Sequence, residues 1–213
     1  MTIINLELKK DNIVLMQLKD GPVIIELLPD LAPKHVERFK ELVDKGFYDN
    51  LTFHRVIPDF MAQTGDPTGT GKGGSGVVMD AEITKAHHLR GMVSVANKLN
   101  LHSDDSQFFI LFKNALWLDN KHTIFARVVN GMEHVDKINN GGSQSGNPPL
   151  FYGKPDKILS MKLLSNNESE DFNMIVEDTG PSYEEYMSDN ISYSPSTMDY
   201  ICSWFSLNNY LHG

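Results

Sequence analysis

The side chains best suited to chemistry lie in the stretch Phe53–Gly74. Its first part alternates like two short strands around a turn, which places alternate residues on the same face. In quick succession it carries one permanent cation, Arg55, two large apolar side chains, Phe60 and Met61, and one amide, Gln63. A cation, an apolar wall and an amide suit the binding of an extended peptide, with the charge directed at one of its atoms.

The glycine-rich end of this stretch, Gly69–Gly74, matches the spacing G-x-G-x-x-G and resembles the end of a P-loop. Both motifs bind phosphate only where a helix begins, because its N-terminal amides then face the ligand. Gly73–Gly76 is a poor helix start, and Gly73 stands where a P-loop has Ser or Thr. We therefore interpret the loop as a flexible wall beside a peptide groove, not as a nucleotide site.

Other reaction classes find little support in the residues. The eight histidines form no His-x-x-x-His pair suited to a metal, and the single cysteine, Cys202, rules out an intramolecular disulfide and a Cys-based metal site. Ser75 would need glycine at position 77 to form a G-x-S-x-G nucleophile elbow, but Val77 stands there. We expect no metal, no cofactor and no hydrolysis by a nucleophile.

Charge divides the 213-residue chain into two parts. Residues 1–165 hold all 19 Lys and Arg and an equal number of Asp and Glu, whereas residues 166–213 hold nine acids and no Lys or Arg. A neutral body argues against nucleic-acid binding, which needs a basic face. No apolar run suggests a signal peptide or a membrane span. The sequence predicts a monomer in the reducing cytoplasm, with a domain over 1–165 and an acidic extension over 166–213 that is flexible or loosely docked.

Periodicity predicts a mainly β domain with two helices. Pro33–Lys45 has a helical apolar stripe with Gly46 as its C-terminal cap, and Gly131–Ile138 predicts a shorter helix. Asp20-Gly21 predicts a hairpin turn between Ile13–Leu18 and Pro22–Leu28. Further strands are predicted near 53–57, 61–65, 92–96, 107–112, 123–129 and 157–164, and a loop at 141–149. About eight short strands with two helices favour a closed antiparallel barrel or a sandwich.

Ordered motifs further along the chain complete the pattern. They are Phe53-His54-Arg55, Phe60-Met61-Ala62-Gln63, Gly65–Gly71, Ala96-Asn97, Ser106-Gln107-Phe108-Phe109 and Trp117-Leu118-Asp119-Asn120-Lys121-His122. Taken singly, each could be ordinary core or turn sequence. Taken in order, they make residues 10–165 resemble a single-domain cyclophilin, a peptidyl-prolyl cis–trans isomerase, of the bacterial or small intracellular form.

The resemblance implies a closed eight-stranded antiparallel barrel capped by two helices, with a peptide groove on its outer face. It implies that Arg55 is catalytic and that the proline ring binds between Phe60, Met61, Phe109 and Leu118, with His122 at the edge. The remaining groove residues implied are Gln63 and Asn97 on the peptide backbone, Ala96, Lys98 and Gln107 along the groove, Gly71 in its wall, and Trp117 offering its indole N–H at the rim, where the family binds cyclosporin.

Two departures from the family concern substrate preference. Lys98 stands where the family usually has a small residue, and Leu99–Asp105 replaces a turn rich in Gly and Asn. The expected partners are proline-containing peptides and unfolded or flexible protein segments, and the expected role is assistance of protein folding. The alternative is a non-catalytic adaptor that binds proline peptides with the same fold.

Overall fold

The computed structural model describes residues 10–97, 102–139, 154–164 and 179–189, and every structural statement below concerns these residues. Nine strands form one antiparallel sheet. In chain order they are β1 (Ile13–Leu18), β2 (Gly21–Leu27), β3 (Arg55–Ile57), β4 (Met61–Thr64), β5 (Val78–Asp80), β6 (Met92–Asn97), β7 (His102–Leu111), β8 (Ile124–Asn130) and β9 (Ser160–Leu163). The order across the sheet is β3-β4-β7-β6-β8-β2-β1-β9, with β5 paired to β7.

The predicted closure of the barrel is wrong for the described strands, which form an open, curled half-barrel. The end strands β3 and β9 are not paired with each other. Between them runs one isolated bridge, from Thr52 to Lys157, supported by a hydrogen bond from the Phe53 amide to the Asp156 carbonyl at 2.9 Å. This bridge lies just before the first residue of each strand, and the ladder does not continue into β3 (Arg55–Ile57).

The main core lies between the concave face of the sheet and helix α1 (Pro33–Asp44). The helix begins with proline in its first turn and ends before Gly46, whose φ of +64° is the left-handed conformation expected of a C-terminal glycine. Its buried Phe39 packs edge-on against Phe108 of β7, with ring centroids 5.5 Å apart. The apolar stripe of the sequence is thus the face that the helix buries.

Several predicted boundaries shift by a few residues. The hairpin turn is Lys19-Asp20, and Gly21 already pairs with Leu18 as the first residue of β2. The second helix, α2, covers only Met132–Val135 of the predicted range. Strand β5 was not predicted, and the predicted loop at 141–149 lies outside the described residues.

A segment of the acidic extension, Thr179–Asp189, packs against the sheet domain. Its short helix α3 (Tyr183–Tyr186) begins with a capping box, in which Ser182 and Glu185 satisfy each other's backbone amides. The Tyr186 side chain is 4% exposed and joins the apolar cluster on the outer face of the sheet. The division of the chain at residue 165 stays a prediction.

No helix among the described residues is both long and apolar enough to cross a membrane.

Candidate active site

Three neighbouring strands place the predicted side chains in one row. Arg55 of β3 pairs directly with Gln63 of β4, and Gln63 pairs directly with Phe109 of β7. Directly opposed residues of antiparallel strands point to the same face. Strand alternation puts Phe108 on the opposite face, inside the main core. The outer face of the sheet therefore carries a cation, an amide and an aromatic ring side by side.

Hydrogen bonds connect this row to the glycine-rich loop. Arg55 Nη1 donates to Gln63 Oε1 at 3.3 Å, and Gln63 Nε2 donates to Gln107 Oε1 at 2.9 Å. Gln107 Nε2 donates in turn to the carbonyl oxygens of Gly71 at 3.1 Å and Gly73 at 2.6 Å. Each amide thus accepts from one neighbour and donates to the next, and the chain fixes the direction of the Arg55 guanidinium.

Arg55 remains a cation although it is largely enclosed. Burial lowers the pKa of its guanidinium from the ordinary 12.5. An arginine starts so far above neutrality that it keeps its proton in proteins. A charge held in a poorly solvated place acts more strongly on a nearby dipole than one in bulk water.

A buried apolar cluster begins at Phe109, two positions along the row from Arg55. Phe60, Met61, Phe109 and Leu118 belong to one cluster and are between 2% and 9% exposed. Met61 and Phe109 come from adjacent strands, whereas Leu118 comes from the 3-10 turn Leu116–Leu118. The four apolar residues predicted for the proline pocket therefore meet in one cluster, from β4, β7, the turn before β4 and the 3-10 turn, and their binding of proline stays a prediction.

His122 contacts this cluster through Phe109. Its ring lies edge-on to Phe109, with centroids 5.6 Å apart, and its Nδ1 lies 3.2 Å from the Val95 carbonyl oxygen, to which it donates. Burial lowers the pKa of His122. The bond to the Val95 carbonyl raises this pKa, but by less than burial lowers it. At neutral pH the ring is uncharged, so it contributes shape rather than charge.

The glycine-rich loop is organised around a carboxylate of its own chain. Asp66 is 1% exposed and accepts from the backbone amides of Thr68, Thr70 and Gly73 at 2.7–3.1 Å. Burial alone would raise the pKa of Asp66, but the bonds from Thr68 and the glycine amides outweigh it and lower the pKa to about 2. The loop amides are thus directed at an internal anion, which agrees with a groove wall and not with a phosphate cradle.

The structure differs from the predicted site at Trp117. Its ring stacks at a tilt on Phe60, with centroids 5.6 Å apart, but its indole Nε1 is enclosed and has no hydrogen-bond partner among the described residues. The prediction of an indole N–H offered at the rim is wrong. The Trp117 ring packs against Phe60, but its N–H group is enclosed instead of open to solvent at the rim.

The other predicted groove residues are placed as follows. Ala96 is partly buried and packs against the pocket cluster. Asn97 ends β6, and nothing further is described of its side chain. Lys98, with its predicted influence on substrate preference, lies outside the described residues.

Sequence reasoning gave no role to the pair His87 and Asp119. Asp119 directly follows the 3-10 turn, and its Oδ2 accepts from His87 Nδ1 at 2.5 Å. The other carboxylate oxygen accepts from the backbone amide of His88 at 2.9 Å. Asp119 belongs to the motif Trp117–His122, so the sequence pointed to this position. Its partners, His87 and His88, come from a distant loop, and no sequence pattern connected them to it.

No group of three or more His, Cys, Asp or Glu that could hold a metal occurs in the described ranges.

Comparison with known proteins agrees with this geometry. Residues 13–163 match the family described as "Cyclophilin type peptidyl-prolyl cis-trans isomerase/CLD". A probable peptidyl-prolyl cis–trans isomerase of Brucella suis is 44% identical over 170 residues, covering 74% of this chain and 85% of the relative. The isomerase cypE of Dictyostelium discoideum is 43% identical, covering 72% of this chain and 97% of the relative.

A solved structure has the same fold. It is a cyclophilin-type isomerase of Cryptosporidium parvum crystallised in the presence of the dipeptide Ala-Pro, with a TM-score of 0.64 and 31% identity over 72% of this chain and 99% of that one. The two relatives and this structure match more than two thirds of both chains, and the family match over 13–163 includes every strand that forms the site. The chain belongs to the cyclophilin-type peptidyl-prolyl cis–trans isomerase family.

Proposed function

We propose that the protein catalyses rotation about X-Pro peptide bonds through the Arg55 guanidinium. Uncatalysed rotation is slow because amide resonance must be broken, at a barrier of about 20 kcal/mol. In the twisted transition state the proline nitrogen becomes pyramidal and regains its lone pair. A fixed donor that faces this nitrogen binds the twisted form better than either planar form, which is the requirement for catalysis.

The neighbouring residues hold the two sides of the bond. The apolar cluster of Phe60, Met61, Phe109 and Leu118 takes the proline ring, whose burial is worth roughly 2 kcal/mol by area. Gln63 and the backbone of β6 hold the peptide, so that one half is fixed while the other rotates. No nucleophile and no acid–base pair takes part.

The observation that carries the proposal is the position of Arg55. Its guanidinium is tied to Gln63, which shares a row with Phe109 of the apolar pocket. A charged donor at the edge of an apolar pocket is needed for isomerisation, whereas an adaptor needs only the pocket. This favours catalysis over the non-catalytic alternative.

The direct test compares Arg55→Ala with the parent on a short X-Pro peptide, in an assay of cis-to-trans conversion. We expect kcat/KM to fall by about a hundredfold or more, since the transition-state interaction is removed. Thermal stability should change by less than about 1 kcal/mol, because Arg55 faces the groove. Arg90→Ala, which removes an exposed arginine paired with Asp136, is the control and should keep full activity.

Two results would contradict the mechanism. The first is an Arg55→Ala variant that is folded and fully active. The second is a steep change of rate between pH 7 and 9, because the proposal includes no group that titrates there. Binding of the peptide without any isomerisation by the parent would instead support the adaptor.

The proposal also covers the clients, the cellular compartment, the oligomeric state and the inhibitor. The clients are proline-containing segments of unfolded or flexible proteins in the cytoplasm, and the protein acts on them as a monomer. Cyclosporin is the expected inhibitor, with contacts to the apolar pocket and to the Trp117 ring. This rests on the family and on the position of the Trp117 ring against Phe60.

A further inference from the structure

The docked part of the acidic extension reaches a wall of the proline pocket through a short series of contacts. The docked segment, Thr179–Asp189, is attached at both of its ends and at its centre. At its start the Thr179 amide donates to the Val129 carbonyl oxygen of β8 at 2.8 Å. Next, Arg127 Nη1 donates to the Pro181 carbonyl oxygen at 3.0 Å, inside the protein.

The centre of the docked segment is anchored by an aromatic side chain. Tyr186 is 4% exposed and belongs to the same apolar cluster as Leu118, Phe109 and Phe60. Burial raises the pKa of its hydroxyl to about 12. One continuous apolar cluster therefore extends from the pocket to the docked segment.

The end of the docked segment is held by His87. The His87 amide donates to the Tyr186 carbonyl oxygen at 2.7 Å, and the ring Nε2 lies 2.8 Å from the Ser188 carbonyl oxygen. On its other side the ring Nδ1 lies 2.5 Å from Asp119 Oδ2. The imidazole therefore lies between the Ser188 carbonyl and the Asp119 carboxylate and bridges the docked segment to Asp119.

Asp119 fixes the pocket wall that precedes it. Burial alone would raise the pKa of Asp119, but the bonds from His88 and His87 outweigh it and lower the pKa below the ordinary 3.8, so the carboxylate is ionised at neutral pH. One oxygen is held by the amide and ring of His88, and the His88 carbonyl accepts from Ala115 at 2.7 Å, at the start of the 3-10 turn. The turn Leu116–Leu118 is thus held between Ala115 and Asp119, and both ends are linked to the loop that carries His87.

We propose that the docked segment positions this turn through His87 and Asp119, and so sets the affinity of the proline pocket for its peptides. His87 and Asp119 act as positioning residues, since they hold Leu118 and touch no substrate. A looser turn weakens binding of the ground state and of the transition state alike, which raises KM and leaves kcat unchanged. This inference rests on the proposed isomerase function.

The test uses the full chain with Trp204→Phe, so that Trp117 is the single tryptophan and reports on the turn. Tyr186→Ala removes the central anchor, and His87→Ala removes the bridge while Tyr186 remains. Glu184→Ala is the matched control, because Glu184 lies on the same helix and is exposed, whereas the exposed Tyr183 packs against the Tyr186 ring. Hydrogen exchange of the amide at position 87 reports docking directly, since this amide donates to Tyr186.

We expect Tyr186→Ala to speed exchange at position 87, to change Trp117 emission, and to raise both KM and the peptide Kd by about fivefold with kcat within about twofold. His87→Ala should raise KM similarly, and Glu184→Ala should match the parent in every measurement. Where Tyr186→Ala stays docked, Tyr186→Asp places a charge in the apolar cluster and should release the segment.

The proposal is overturned if exchange at position 87 accelerates while Trp117 emission and the peptide Kd stay unchanged. It is also overturned if neither substitution at Tyr186 releases the segment. Trp117 emission and peptide Kd require no turnover. A protein that binds peptide but does not isomerise would therefore contradict the proposed function without removing this coupling.

Discussion

At the scale of single residues, the site depends on polar side chains that each satisfy several partners. Asp66 is the clearest case, because one buried carboxylate closes the glycine-rich loop that forms a wall of the groove. Gln107 has the same function from the strand side, since it binds the carbonyls of Gly71 and Gly73. The loop is rich in glycine, but hydrogen bonds to Asp66 and to Gln107 fix its backbone.

Asp66→Asn should lower the free energy of unfolding by about 2 kcal/mol at pH 7, because an amide cannot accept every bond of the carboxylate. The folded pKa of about 2 lies below the ordinary 3.8, so this stabilisation is complete well above pH 4 and is lost as the pH falls through about 2. Urea unfolding at pH 7 and at pH 2.5 measures the difference. Asp59→Asn, at an exposed site paired with Lys113, should cost almost nothing, and an equal loss there would contradict the assignment.

At the scale of elements, the site depends on the close approach of β4 and β7. Gly65 follows β4 with φ of +92°, and an added Cβ would overlap the Ser106 carbonyl oxygen. Ser106 Oγ donates back to the Gly65 carbonyl at 2.9 Å, which locks the two strands where Gln63 meets Gln107. Only glycine fits this crossing.

Gly65→Ala should destabilise the fold by about 3 kcal/mol or more, from backbone strain and steric overlap together. Gly76→Ala separates the two causes, because Gly76 has a similar φ of +90° with nothing within 4 Å of its Cβ position. It should cost only the strain, about 1–2 kcal/mol. Denaturant titration of both variants gives the comparison, and equal losses would show that the overlap is relieved by a small shift of the strand.

The elements also show what local sequence could predict. The stripe of α1 and the second half of β7 depend on short-range patterns that were visible in the sequence, whereas His102–Ser106, the first half of β7, was not predicted as a strand. The open sheet was not, because closure depends on whether β3 and β9 meet, and their sequences lie a hundred residues apart. Helix α3 carried a readable capping box, Ser182 with Glu185, but four residues give no periodicity.

The site likewise has features that the sequence could predict and features that only the folded chain shows. Arg55, Gln63 and Phe109 were predictable because their motifs are ordered along the chain and lie on adjacent strands. The direction of the Trp117 indole depends on its packing against Phe60, which no sequence pattern records. The bridge from His87 to Asp119 joins three distant segments, so only the folded chain reveals it.

At the scale of the whole molecule, buried histidines make stability depend on pH. Burial lowers the pKa of His54 and of His122 below the ordinary 6.5, against the opposing effects of Asp66 and of the Val95 carbonyl. Below about pH 6.5 these two histidines therefore bind protons more readily in the unfolded chain than in the folded protein. Stability should be unaffected by these two groups above that pH and should fall below it.

We expect the free energy of unfolding to decrease from pH 7 to pH 5, and His54→Gln to reduce this slope by up to about 1.4 kcal/mol per pH unit. Urea unfolding across this range measures the slope. His134→Gln, at a more exposed position, is the control. An unchanged slope in His54→Gln would show that His54 takes up its proton in the folded protein.

The pairing of β1 with β9 has a consequence for synthesis on the ribosome. Val14 finds its partner Leu163 only after nearly the whole sheet domain has been translated. Until then the first hairpin exposes an apolar strand edge, which is a template for pairing with other nascent chains. Non-local pairing of this kind also slows folding. A protein whose proposed task is to help others fold therefore completes its own sheet late and is itself open to aggregation during translation.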